Sequence, residues 1–171
     1  MSATFDDTTL VSAAGLIPAM ALAVKTGLGG LADEHLHLPG YFGANAGLKV
    51  TALVAGMVAG ADSIDDMALL RHGGMKSLFV GVCAPSTLGS FLPTFTFGHV
   101  RQLDATAWRW LINLAAATPI LTGINEYALV DIDDTIKEVH DYKKQGCGFG
   151  YSGVRGLNAL IGIVSTRLRL Q

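Results

Sequence analysis

The run EYALVDIDDTIKEVH, residues 126–140, decides how the rest of the sequence is read. An apolar lead rich in β-forming side chains runs into three carboxylates, Asp131, Asp133 and Asp134. Carboxylates this close repel one another. Holding them beside a core is costly unless a cation or a proton offsets the charge. Alternate side chains of a strand share a face, so Asp131, Asp133 and Thr135 are expected on one side and Asp134 on the other. Two carboxylates on one face make half of a hard-cation site. Oxygen ligands suit Mg2+ or Mn2+, and an incomplete protein set leaves room for water and phosphate oxygens. The plainer alternative is a strand that runs out into a polar turn with its acids solvated.

Upstream of this run the pattern is helical to about Thr122. Residues 12–25 are rich in Ala, Leu and Met, with Gly27, Gly29 and Gly30 expected to stop them. Residues 47–60 form a nearly all-apolar helix, which places it centrally. In ADSIDDMALLRHGG a cap at Asp62 or Ser63, acids in the first turn, Arg71 and His72 near the end and Gly73-Gly74 mark a short helix. APSTLGSFLPTF puts Ser86 at a cap and aligns Leu88, Phe91, Leu92 and Phe95, with Pro93 disturbing the end. DATAWRWLINLAAATPIL is a last helix, closed near Pro119, in which Trp108 and Trp110 read as core and interface residues.

After Gly123 the period changes. YALVDID reads as one strand, TIKEVHDY as a second and GLNALIGIVST as a third, with the turn-rich KKQGCGFGYSG before the last. The expected domains are therefore a helical region, 1–123, and a strand-rich region, 124–171. GFGYSG matches G-x-G-x-x-G literally, but a dinucleotide site needs a following helix and an acid about 20 residues on, so a glycine-rich hairpin is the plainer reading.

With 171 residues, half of them hydrophobic and 21 of them Gly, the chain is globular rather than disordered. A net charge of −2 gives no overall basic character, yet Lys137, Lys143, Lys144, Arg155, Arg167 and Arg169 gather towards the end. Cys83 and Cys147 are far apart with no CxxC partner, which fits a reduced, cytoplasmic chain. The apolar runs fall short of the roughly 18–20 residues of a membrane span, and the acidic start is a poor leader, so no membrane partner is expected.

LVDIDDT resembles the first motif of the haloacid-dehalogenase-like phosphatases, a hydrophobic strand followed by DxDxT. That motif usually opens its domain, whereas a long helical stretch precedes it here. A wider resemblance covers nearly the whole chain. FDDTTLVSAAGLIPAMALA, LADEHLHLPG, ADSIDDMALLRHGG, APSTLGSFLPTF and LVDIDDTIKEVHDYKKQGCGFGYSGVRGLNALI, in that order, resemble the N-terminal part of bacterial insertion-sequence transposases of the DDE type.

The resemblance implies an α+β chain in which helices that contact or scaffold DNA precede the first three antiparallel strands of a ribonuclease-H-like catalytic domain. It implies that Asp133, with Asp131 as the alternative, is the first catalytic carboxylate and a ligand of Mg2+ or Mn2+. The second Asp and the Glu of that family have no place in the residues after Thr135, so a truncated transposase, inactive alone, is expected. Lys143, Lys144 and Arg155 would hold DNA phosphates, of transposon ends or target. Self-association through an unfinished sheet is a further expectation. A stand-alone helical DNA-binding or interaction module is the other reading. In the helices, the loop before APSTLGSFL is long for a helix-turn-helix, and that helix carries no Arg or Lys for base readout. His35 and His37, beside Pro39, read as loop residues.

Overall fold

The computed structural model describes residues 8–79, 81–140 and 143–166. The acidic start (residues 1–7), Val80, Asp141 and Tyr142 at the end of the expected second strand, and the tail with Arg167 and Arg169 lie outside the described residues. The chain is α+β, with two compact units, Met1–Leu114 and Ala115–Gln171.

The first unit contains α1 (Leu16–Lys25), α2 (Leu28–His35), α3 (Ala46–Val58), α4 (Met75–Leu78), α5 (Pro85–Phe91) and most of α6 (Phe97–Ala117). Short 3-10 helices lie at Tyr41–Gly43, Asp65–Arg71 and Leu92–Thr94. Gly27 does stop α1, at φ 81°, where a side chain would be strained. Gly29 and Gly30 do not stop it; they lie inside α2. Gly29 is there for contact rather than for breaking, because a Cβ would come within 3.2 Å of Thr51 Oγ1 on α3.

As expected of its apolar sequence, α3 is central and packs most extensively against α2. The two backbones approach at Gly29 and Gly47, where a Cβ on Gly47 would collide with the Gly29 carbonyl oxygen. Asp33 of α2 caps the neighbouring helix: its Oδ1 accepts from the Gly47 N–H at 2.7 Å. A carboxylate there meets both an unpaired first-turn donor and the positive end of the helix dipole. Around α3 the side chains of Leu70, Met75, Leu88 and Phe91 are fully buried. Each contributes on the order of 2 kcal/mol by leaving water.

Lys49 breaks the apolar pattern of α3 yet is only 7% exposed. Its Nζ donates to the carbonyls of Phe42 at 2.8 Å and Ala44 at 2.7 Å, and sits 5.1 Å from the centre of the Phe91 ring. The ammonium thus replaces water for two carbonyls of the α2–α3 loop. Lys49→Met keeps the stem but leaves both carbonyls without their charged donor. We expect it to cost about 1.5–3 kcal/mol, read as a lower urea midpoint at unchanged slope.

Two cap expectations change. Pro85 occupies the first turn of α5 after Ala84, so Ser86 lies inside the helix and its backbone takes no side-chain cap. The segment Asp65–Arg71 is a 3-10 helix rather than α, although its start is well tied. Asp66 accepts from the Ser63 N–H at 3.0 Å and from Ser63 Oγ at 2.7 Å, and the Asp66 N–H donates back to Ser63 Oγ at 3.3 Å. The Ser63 hydroxyl, then its backbone N–H, holds the Asp66 carboxyl below its ordinary range. Pro93 ends α5 as expected, tightening the chain into Leu92–Thr94.

Three side-chain bonds fasten α6. Gln102 Oε1 accepts from the His37 N–H at 2.9 Å, Trp110 Nε1 donates to Thr26 Oγ1 at 2.7 Å, and Asn113 Nδ2 donates to Thr26 O at 3.0 Å. Trp110 packs against the core, as its sequence reading has it, whereas Trp108 is 68% exposed. Among the described residues no single helix is long and apolar enough to cross a membrane. Only α1 and α2 taken together, bent by 50°, reach that length.

The second unit holds β1 (Ala128–Glu138), β2 (Gly148–Phe149) and β3 (Arg155–Thr166) in the order β1-β3-β2, both neighbours antiparallel to β3. The expected first and second strands are one strand. Pairing runs without a break from Ala128↔Thr166 to Glu138↔Gly156, and no Gly or Pro interrupts β1. The change of apolar pattern at Asp133-Asp134 therefore marks a change of composition, not a turn. Asp133 lies in mid-strand, opposite Ile161, rather than near a strand end.

Candidate functional site

In β1 the pleat places Asp131, Asp133 and Thr135 on one face and Asp134 on the other. Directly opposite on β3 stand Ile163, Ile161 and Ala159. The strand is not buried: Asp131, Asp133 and Asp134 are all exposed, so no burial cost attaches to them. One Asp133 oxygen accepts from the Asp134 N–H at 2.9 Å. On the reverse face Asp134 Oδ2 accepts from Asn158 Nδ2 at 3.0 Å.

Asp131 and Asp133 are separated by two residues of strand, about 6.6 Å. That spacing offers one or two carboxylate oxygens to a hydrated ion, with phosphate oxygens and water completing its shell. It does not make a two-ion site. Among the described residues no group of three or more His, Cys, Asp and Glu could hold a metal. His35 closes α2 and lies 3.7 Å from Glu34, and His37 follows in the loop. Neither belongs to a metal-binding group.

The three proposed phosphate-binding cations sit at one end of the sheet. Glu138 and Gly148 both stand opposite Gly156, so the 139–147 connection and the turn at residues 150–153 share that end. Lys143 and Lys144 are exposed on the connection. Arg155 is half-buried at the start of β3, opposite Phe149, with Nη1 3.5 Å from Val139 O. The cations are therefore at the far end of β1 from Asp131, not beside it.

GFGYSG is a hairpin turn. The Gly153 N–H donates to Gly150 O at 3.0 Å, Gly153 adopts φ 70°, and a strand follows rather than a helix. The dinucleotide geometry is not present there. Cys83 and Cys147 are free thiols, and burial pushes the Cys83 thiol up against the opposing pull of Lys49 and Arg71.

Sequence reasoning passed over three things. Lys49 was detectable as the lone charge within an apolar helical run. The Asp134–Asn158 bond joins residues distant in sequence and depends on strand register. Phe149 and Tyr151 were read only as turn residues, although they are large apolar residues 75% and 91% exposed. Comparison with protein-family models, curated proteins and solved structures gives no match.

Proposed function

We propose that these residues are the helical part and the first acidic strand of a DDE-type transposase, a protein that cuts and joins DNA phosphodiesters. The observation that carries this reading is the DxDxT face of β1. Asp131, Asp133 and Thr135 point together from one exposed face of an antiparallel strand that follows a helical unit. In this role Asp133 holds a hard divalent cation, Mg2+ or Mn2+, whose chemistry is charge stabilisation at the phosphate and activation of water. Asp131 is its nearest auxiliary, and Lys143, Lys144 and Arg155 grip backbone phosphates. The phosphatase alternative needs a parallel β-α-β crossover after DIDDT. Here the chain continues in the same strand and returns antiparallel.

The test uses DNA from the flanks of the coding sequence. Terminal inverted repeats should be found there, and the chain should bind them over scrambled duplex, with affinity falling steeply as salt rises. With Asp131 and Asp133 as its only carboxylates of the set, the chain alone should show no Mg2+- or Mn2+-dependent cleavage of that DNA. Flanks without repeats, together with no preference for any end sequence, would remove the transposase reading. Cleavage abolished by Asp133→Ala would show that a second chain completes the carboxylate set.

One observation favours a helical DNA-binding or interaction module. The unit Met1–Leu114 has its own core and polar ties. Residues 8–114 expressed alone should then keep the full end-DNA affinity.

A further inference from the structure

Because β1 is a single strand, Lys137 falls into phase with the acidic face. On a separate second strand it would have no fixed relation to Asp133. In the observed register Asp131, Asp133, Thr135 and Lys137 alternate onto the same side. Lys137 stands opposite Leu157 on β3. Arg155, two residues before Leu157, is its diagonal neighbour on that face, roughly 7–8 Å away.

The two faces of the sheet differ in charge. Both cations of the strands, Lys137 and Arg155, are on the Asp133 face. Asp134 and Glu138 are turned to the reverse face, where no strand residue is basic. There Asp134 is tied to Asn158, and Glu138 lies 4.0 Å from His140. The Asp133 face is graded along its length: two carboxylates, then a hydroxyl, then two cations. Lys137 is exposed, and among the described residues no ion pair or hydrogen bond engages its ammonium.

A phosphodiester backbone complements this grading. Its phosphates are attracted at the basic end directly, and at the acidic end only through a cation. Lys137 lies four strand residues from Asp133, about 13 Å. That is roughly four steps of a duplex strand at about 3.4 Å per nucleotide. The reverse face, with two carboxylates and no strand cation, repels the same backbone.

We propose that Lys137 is a phosphate-positioning residue. With Arg155 it holds a DNA strand on the Asp133 face, so that the strand runs along β1 towards the carboxylates. The inference deepens the proposed function and rests on it for the DNA partner, but it does not require a bound metal.

Fluorescence anisotropy of the full chain with a labelled mixed-sequence duplex, at several salt concentrations and without divalent metal, tests it. Lys137→Gln should weaken binding about threefold or more at low salt and reduce the salt slope by about one. Lys137→Arg should restore both. Ala159→Lys and Glu138→Gln each make the chain more positive by one charge. The first does so on the Asp133 face, diagonal to Lys137, and the second on the reverse face. Only Ala159→Lys should tighten binding and steepen the slope. A Lys137→Gln chain that binds like the parent, or equal tightening by Glu138→Gln, would overturn the proposal. A parent that binds no duplex would overturn it together with the DNA reading. Face-dependent binding by a chain indifferent to inverted repeats would keep this proposal and remove the transposase reading. Preference for the repeats that survives Lys137→Gln undiminished would do the reverse.

Discussion

Replacing Gly47 by Ala is expected to lower the stability of the helical unit by about 2–3 kcal/mol, although alanine is the better helix former. In an open helix the exchange gains up to about 1 kcal/mol. At Gly47 the new methyl group would collide with the Gly29 carbonyl oxygen and come within 2.6 Å of Asp33 Oδ2. A backbone oxygen cannot move aside as a side chain can, so α2 and α3 must separate. Overpacking of this kind costs about 1–3 kcal/mol, and disturbing the Asp33 cap costs about 1 kcal/mol more. The clash outweighs the propensity. For a unit of this size the midpoint should fall by about 10–20 °C, followed by far-ultraviolet circular dichroism. Gly30→Ala is the control. It lies inside α2, the helix that α3 packs against, with nothing near its Cβ, and should raise the midpoint. A Gly47→Ala chain that melts at or above the parent would show that α2 and α3 do not pack at this distance.

The second large effect is association of the chain with its own copies through β3. Among the described residues nothing pairs with the outer edge of β3 beyond Gly156, since β2 reaches only Gly156 and Arg155. Residues 157–166 of that strand carry no charge and no proline, the features by which exposed edges avoid pairing. β1 is guarded. Asp131, Asp133, Asp134 and Glu138 against Lys137 would repel a second β1 edge. Antiparallel pairing of β3 with β3 of another copy satisfies both backbones. It also widens the apolar face formed by Val130, Ile132, Leu160 and Val164, which are exposed in one copy.

Light scattering on a sizing column at high micromolar concentration should therefore report dimers or larger species. Leu160→Lys places a charge on that edge opposite Asp134, which can pair with it, so the sheet is kept while the edge is blocked. That variant should run as a monomer. A parent chain that is already monodisperse and monomeric would refute the edge argument.

How much of this was legible beforehand differs between the units. Helices α1, α3 and α5 were readable because they carry their own signals: a terminating Gly27 after α1, apolar composition in α3, Pro93 after α5; α2 was hidden because Gly29 and Gly30 read as breakers. The strand boundaries were misread at Asp133-Asp134 because alternation can be interrupted by charge without the backbone turning. Only register with β3 reveals one long β1.

The shared face of Asp131, Asp133 and Thr135 follows from local geometry alone, since a strand alternates whatever lies around it. So does the α+β division, which depends on a change of hydrophobic period along the chain. Exposure of those carboxylates, the buried Lys49 with its two carbonyl partners and the Asp134–Asn158 bond do not follow from local rules. Each depends on residues far apart in sequence being brought together or left apart. A one-dimensional pattern records which side of an element a residue occupies, but not what stands opposite it.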